Sequence, residues 1–343
     1  MKKYILSFLF YSQLYRLFQL FYRKKIIILM YHGFSDTKKH KGIENYQGNH
    51  INIELFRSQI KYIKENYNVI SLNEYIKSCI NNEKLPINSI IITIDDGYRS
   101  NYTLAFPILK EFDVSATIFL TTDFIENKNF LWVDRLGYAI NNTKFIDLKL
   151  NIADEEFSFA LDDYKGKMSC DKRIRRKLKS VDNVTIAKTI QQIEEKLNIK
   201  LSEAQNVPSI YKPLDWNEIL EILKTSKVNI GSHTHKHLIL ARYDNEVIQN
   251  DLSLAKRLIE KKTGIRTELF CYPNGSIGDF NDNTKLILKK LGYSCALTTV
   301  RGMNSNISDL YELKRFGVGN TDLKSFIMDI SGVKYFFSQM KMN

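Results

Sequence analysis

Four short stretches of the chain carry side chains able to do chemistry: "MYHG" with His32, "IDDG" with Asp95 and Asp96, "GSHTHKH" with His233, His235 and His237, and "CYPNG" with Pro273 and Gly275. Two histidines and one carboxylate form a facial ligand set that leaves coordination positions for water and substrate, and such a set can carry out hydrolysis. A single histidine at the end of a strand is more often a hydrogen-bonded structural residue than a ligand. Here, however, four of the 6 histidines fall in just two of the four stretches, a grouping that coincidence explains poorly. The paired acids follow five β-branched residues, Ile90 to Ile94, which read as a buried strand leaving the core. Neighbouring strand residues point to opposite faces, so Asp95 and Asp96 face different surroundings unless the chain turns at Gly97. That leaves room for two different jobs.

The elements that must position these groups follow from the apolar pattern. Strands are expected at Ile26 to Tyr31, Ile90 to Ile94, Ala116 to Thr121, Val228 to Gly231, Glu268 to Tyr272 and Ser294 to Thr299. Helices are expected between them at Ile53 to Asn66, Asn101 to Phe112, Asp215 to Ser226, Asn245 to Thr263 and Asp282 to Leu291, with Asp215 and Asp282 as N-caps and Gly264 and Gly292 as stops. Such an alternation closes most simply into a parallel β/α barrel, where the C-terminal ends of the strands converge on one mouth. The barrel is assigned to residues 26–124 and 214–335. From 125 to 213 the alternation is lost, and this segment reads as a largely helical insertion covering the barrel, with a helix from Val184 to Leu197. Eight basic residues crowd Lys165 to Lys179. They read either as a solvated face or as a contact for phosphate groups.

The chain has 343 residues, 44% of them hydrophobic, enough for one large domain with an insertion. Its 50 Lys+Arg against 38 Asp+Glu leave a formal charge of +12, which favours anionic surfaces or substrates. The aromatics are not interleaved with the basic residues, so nucleic acid is not an expected partner. Cys79, Cys170, Cys271 and Cys295 show no CxxC pair or framework spacing, and a reducing, cytoplasmic compartment is expected. Cys271 and Cys295 read as small buried hydrophobes. Residues 1–25 are too interrupted for a signal peptide, and Arg16 burdens any transmembrane reading. Ser12, Arg16, Gln19 and Arg23 step along one helical face, which describes an amphipathic helix. It either lies on a membrane, flanked by Lys2, Lys3, Arg23, Lys24 and Lys25, or packs on the protein's own body.

These motifs resemble the polysaccharide deacetylases of carbohydrate esterase family 4. "TIDDG" is similar to the family's T-F-D-D-G with Ile94 for Phe, "HTHKH" to H-[ST]-x-x-H, and "FCYPNG" to the F-A-Y-P-x-G form of its third motif. The resemblance runs from about Ile26 to Val318. It implies a distorted, incomplete seven-stranded (β/α) barrel, with Asp95 as general base and Asp96, His233 and His237 as ligands of one divalent cation, expected to be zinc. Asn274 with a nearby backbone N–H, Tyr272 and Arg315 would serve the oxyanion and the substrate. Two departures stand out: "TELFCYPNG" lacks the arginine that usually orients the base, and no histidine follows His237 to act as acid. Some members with the F-A-Y-P-x-G form supply the acid from a tyrosine-histidine pair on the first strand. "LMYHG" is similar to that arrangement, which makes His32 the acid. The implied reaction is metal-dependent removal of an N-acetyl group from an amino sugar of a polysaccharide or lipid-linked glycan. The alternatives are deformylation, O-deacetylation, or a non-catalytic carbohydrate-binding protein on the same fold.

Overall fold

A computed structural model describes residues 2–225 and 227–340; the side chains of Lys2 and Lys3, two of the flanking cations named above, lie outside the described set. Seven parallel strands form the barrel: β1 (Ile27–Tyr31), β2 (Ser89–Ile94), β3 (Ala116–Leu120), β4 (Val228–Ser232), β5 (Leu269–Cys271), β6 (Cys295–Arg301) and β7 (Leu313–Gly317). They neighbour one another in chain order, and β1 pairs with both β7 and β2, so the ring closes. A two-residue strand, Asn68–Val69, borders the lower end of β2 where β3 has not yet joined. The distortion shows in the ladders: β4 and β5 share only the pair Phe270 and Ser232, and the β6–β7 register shifts between Leu297 and Arg301. Six of the seven strands match the expected runs. The seventh was not read from its apolar pattern.

Strand alternation sorts the barrel into two faces. Ile27, Leu29 and Tyr31 of β1 join Ile90, Ile92 and Ile94 of β2 in the core beneath the surrounding helices. Ile28, Ile91, Phe119, Cys271, Leu297 and Leu313 fill the interior. Gly231 is required here, because a Cβ would lie 2.5 Å from the ring of Phe119. Continuing the interior parity to the strand tops gives His32, Asp95, His233 and Arg315. The β/α frame therefore aims these groups into one mouth.

The insertion folds around a core of its own. Helices Trp132–Asn142, Tyr164–Leu178 and Asn183–Leu197 enclose an antiparallel hairpin, Asp147–Ile152 with Glu155–Ala160, whose inward residues Leu148, Leu150, Ile152, Phe157 and Phe159 meet Ile174 and Ile190. The helices agree with the expected helical character, but the hairpin was not foreseen. At the N-terminus the single expected helix is two, Lys2–Tyr11 and Tyr15–Phe21, broken at Gln13 with φ of 57°. Leu6, Leu9, Phe10, Tyr15 and Phe18 pack on the barrel core, while Tyr4, Phe8, Tyr11, Leu17, Leu20 and Phe21 are exposed. The break shifts the helical phase, so the polar stripe is not continuous: Gln19 turns inward and donates to the carbonyl of Asn66. No helix among the described residues is long and apolar enough to cross a membrane.

Candidate active site

Asp95 and Arg315 form the base of the mouth. Arg315 grips the carboxylate with both ends of its guanidinium, Nη1 to Oδ1 at 2.8 Å and Nη2 to Oδ2 at 2.7 Å, and its remaining donors reach the carbonyl of Thr298, Thr93 Oγ1 and Cys271 Sγ. Both residues are buried. Burial disfavours the charge on Asp95, but the Arg315 charge and hydrogen bonds outweigh it and hold the carboxyl below its usual range. Sequence reasoning grouped Arg315 with the oxyanion and substrate residues. The structure corrects this: the side chain lies beneath the cavity and bonds to Asp95, because its interior parity on β7 points it across the barrel at the end of β2. Cys271 is buried as expected, but its sulfur is part of this polar support.

Asp96 leaves the strand parity. It adopts φ of 76° and Gly97 follows at 87°, so the turn begins one residue earlier than the glycine. Left-handed backbone at a non-glycine residue costs roughly 1–3 kcal/mol and is retained where a site needs it. The turn aims the Asp96 carboxylate away from Asp95 and toward two imidazoles: Oδ1 lies 3.4 Å from Nε2 of His233 and 3.4 Å from Nε2 of His237. Burial opposes its charge, yet contacts from His233 and His237 keep its carboxyl well below the carboxylate range. Nδ1 of His233 bonds the carbonyl of Cys271 at 2.8 Å, which leaves Nε2 as the free lone pair. His237 reaches the cluster through a tight loop with Thr234 and His237 both at positive φ. Asp251 ties this loop down by accepting from the backbone N–H groups of His235 and Lys236 at 2.7 and 3.0 Å. His235 points elsewhere, its Nδ1 2.8 Å from Thr122 Oγ1.

The ligand atoms of Asp96, His233 and His237 fit one cation. Two atoms each ~2.0–2.1 Å from a tetrahedral ion lie roughly 3.3–3.4 Å apart, matching both observed separations, which are long for hydrogen bonds. Asp95, His233 and Cys271 also cluster. That set does not fit, because the Arg315 guanidinium already binds both Asp95 and Cys271 and would sit beside the dication.

Above these residues opens a cavity of about 600 Å³. His32 lines it, while Tyr31 on the opposite face is buried with its hydroxyl donating to Gln59 Oε1 at 3.0 Å. The His32 carbonyl accepts from Asn101 Nδ2, brought there by a π-helical turn at Asn101–Ala105. Asn274 lines the cavity at φ of 57°, and its Nδ2 is buried without a partner among the described residues. Tyr272 lines it too, but by its ring: the hydroxyl donates to the carbonyl of Tyr311 and the ring stacks on Phe280 at 4.3 Å.

Sequence reasoning missed His50, Asp251 and the full part played by Arg315. His50 lines the cavity, its ring lying where any side chain on Gly33 would be, 1.9 Å from a would-be Cβ. Burial, with some help from His32 and His40, pushes its pKa down to about 3, so the ring is neutral. The one available signal was the glycine beside His32.

The chain belongs to the polysaccharide deacetylase family, whose model, described as "Polysaccharide deacetylase", matches residues 82–296. Among curated proteins it is similar to YxkH of Bacillus subtilis, 22% identical over 297 residues covering 86% of this chain and 71% of that protein. It is also similar to the poly-β-1,6-N-acetyl-D-glucosamine N-deacetylase of Escherichia coli strain K12, 25% identical over 281 residues, 81% of this chain but only 35% of that longer protein. Its fold is shared with the Streptococcus pyogenes deacetylase PplD, solved with acetate, at a TM-score of 0.59 and 20% identity over 89% of this chain and 98% of that one.

Proposed function

We propose that the protein is a metal-dependent hydrolase that removes the N-acetyl group from an amino sugar of a polysaccharide or lipid-linked glycan, and that it falls in the subgroup with the F-A-Y-P-x-G third motif. One observation carries this reading: the ligand atoms of Asp96, His233 and His237 converge beside a carboxylate that Arg315 keeps ionised, at the bottom of a cavity wide enough for a sugar. Asp96, His233 and His237 would hold a divalent cation, zinc by their nitrogen-rich donor set, and when bound it supplies Lewis acidity to the attacking water and the acyl oxygen.

The chain's own groups do the rest. Asp95 accepts the water's proton with a lone pair that the Arg315 clamp leaves free, since each carboxylate oxygen has two. Arg315 fixes the direction of that lone pair from below. Asn274, with its buried and unpartnered Nδ2, donates to the substrate oxygen as negative charge grows there. His32, beside Asp95 at the top of β1, protonates the leaving amine. The test is incubation of the zinc-loaded protein with N-acetylglucosamine oligomers, with released acid and new amines measured together. Acetate with an equal yield of amine is expected. Formate from N-formyl sugars in its place would identify a deformylase, acetate from O-acetylated sugars without new amine an O-deacetylase, and no product from any of them would support a non-catalytic role.

We also propose a peripheral contact with the cytoplasmic face of a membrane, through the outer sides of Lys2–Tyr11 and Tyr15–Phe21. Exposed Phe8, Leu17, Leu20 and Phe21 next to exposed Arg23, Lys24 and Lys25 support it. Because the inner sides of these helices belong to the barrel core, substitution is a better test than deletion. Phe8→Ser with Leu17→Ser and Leu20→Ser should abolish binding to vesicles rich in anionic lipid and leave oligomer hydrolysis intact; unchanged binding would refute the contact.

A further inference from the structure

The roof of the cavity carries a charge pattern that hydrolysis does not use. Lys172, Arg175, Arg176 and Lys179 all line it. Their steps of three, one and three put them on one face of helix Tyr164–Leu178 and the turn after it, while Cys170, Ile174 and Leu178 on the other face are buried in the insertion's core. Arg175 is spoken for: its Nε donates to Asp171 at 2.5 Å and its Nη2 to the carbonyl of Val133 at 2.7 Å. Lys172, Arg176 and Lys179 are exposed, and among the described residues none of them is ion-paired. Like charges at this spacing repel. Lys172 Nζ lies 5.6 Å from the centre of the Tyr46 ring, and the charge of Asp279, which accepts from the backbone N–H of Ser276, favours the charged form of Lys179; the acids that line the cavity are engaged with other groups. Glu44 bonds His40, Asp95 bonds Arg315, Asp96 faces the two histidines, and Asp134 accepts from Tyr98.

We propose that Lys172, Arg176 and Lys179 form an anion subsite that binds a phosphate monoester or diphosphate group carried by the substrate, so that the glycan acted on at the floor is a phosphorylated or diphosphate-linked one. Three cations without an ion-pair partner match the nearly double charge of a phosphate monoester or a diphosphate better than the single charge of a carboxylate or a phosphodiester. The substrate class rests on the deacetylase reading above; the subsite itself rests only on the roof.

The first test is titration of inorganic diphosphate into the full-length protein, with and without a chelator, followed by calorimetry. Wild-type protein should bind in both conditions. The triple variant Lys172→Gln, Arg176→Gln, Lys179→Gln should bind roughly 10- to 100-fold more weakly, and Lys165→Gln, exposed on the same helix but away from the cavity, should bind as wild type. Equal affinity in the triple variant, or no binding by wild type once metal is removed, overturns the proposal. The second test compares N-acetylglucosamine 1-phosphate, a prenyl diphosphate-linked N-acetylglucosamine ester and a neutral methyl glycoside. Preference for both phosphorylated substrates, lost through KM in the triple variant, supports the subsite. Preference for the prenyl ester alone overturns it in favour of lipid recognition. Diphosphate binding that depends on the roof, without acetate release from any sugar, would keep the subsite and remove the deacetylase reading. Acetate release without diphosphate binding would do the reverse.

Discussion

The floor and the roof of the cavity face each other across the same space and are built in opposite ways. On the floor, Asp95, Asp96, His233 and Arg315 are all buried, and every charge has a partner held by a strand end. On the roof, Lys172, Arg176 and Lys179 stand in solvent on a helix of the insertion. A buried charge without its partner costs several kcal/mol, whereas a solvated one costs little. The floor is therefore organised before any substrate arrives, and its geometry is coupled to the stability of the barrel. The roof is free to vary without disturbing the fold. On the reading proposed above, reaction geometry belongs to the barrel, and selectivity to the insertion packed over it.

If that division is right, floor substitutions should have the largest effects. His237→Ala should abolish both zinc content and turnover, since two ligands rarely retain a catalytic cation. Metal analysis alongside an acetate assay checks this, and full metal retention would remove His237 from the site. Asp95→Asn should separate the two carboxylates: metal stays, and turnover falls about 100- to 10,000-fold. Near-normal rates would move the base elsewhere. Arg315→Met should act differently again, leaving Asp95 buried and unpaired and lowering the unfolding free energy by about 3–5 kcal/mol in urea titrations.

Much of the floor could be read from the sequence because it lies where long apolar runs end. Ile90 to Ile94 announces β2, and Asp95 and Asp96 follow at once. His233 and His237 lie in one loop after β4. What stayed hidden depended on groups far apart in the chain. β7 is five residues with Lys314 and Arg315 in the middle, so a charged residue on an interior face erased its apolar signature, and the bond from Arg315 to Asp95 spans 220 positions. His50 follows no apolar run. The hairpin of the insertion alternates clearly in "DLKLNI", but it turns through Ala153 and Asp154, both at positive φ, where Asn-Gly would have marked the turn. The basic run was visible. Which of its faces met the cavity was not, because that depended on where the insertion docks.

His32, next to Asp95 at the top of β1, tests whether the floor holds the acid as well as the base. As the acid, it matters only when the leaving group needs a proton. His32→Ala should therefore retain metal, lose about 100-fold or more on N-acetyl sugars, and lose much less on aryl acetates, whose leaving groups depart as anions. Equal losses on both substrates would make His32 a structural residue and reopen the search for the acid among groups other than His50, which burial keeps unprotonated with a pKa of about 3.

The smallest effect is expected where floor meets roof. Asp134, on helix Trp132–Asn142 of the insertion, accepts from the hydroxyl of Tyr98, three residues past Asp95, at 2.9 Å. Burial raises its pKa to about 7, only partly offset by the Tyr98 bond and the charge of Arg175. The folded state thus holds this proton over a range where the unfolded chain, with an ordinary carboxyl, has released it. Between about pH 4 and pH 7 the native state binds more protons than the unfolded state, so the stability contributed at this position falls as pH rises through that window and is lowest above it. Asp134→Asn keeps an acceptor for Tyr98 and removes the titration. The variant should match wild type near pH 4 and exceed it at pH 8 by on the order of 2–4 kcal/mol, with oligomer hydrolysis little changed. Unfolding curves at the two pH values decide it. A variant no more stable at pH 8 than wild type would mean that Asp134 is ionised in the folded protein, and that the seam between barrel and insertion is a charged contact with Arg175 instead of a protonated one with Tyr98.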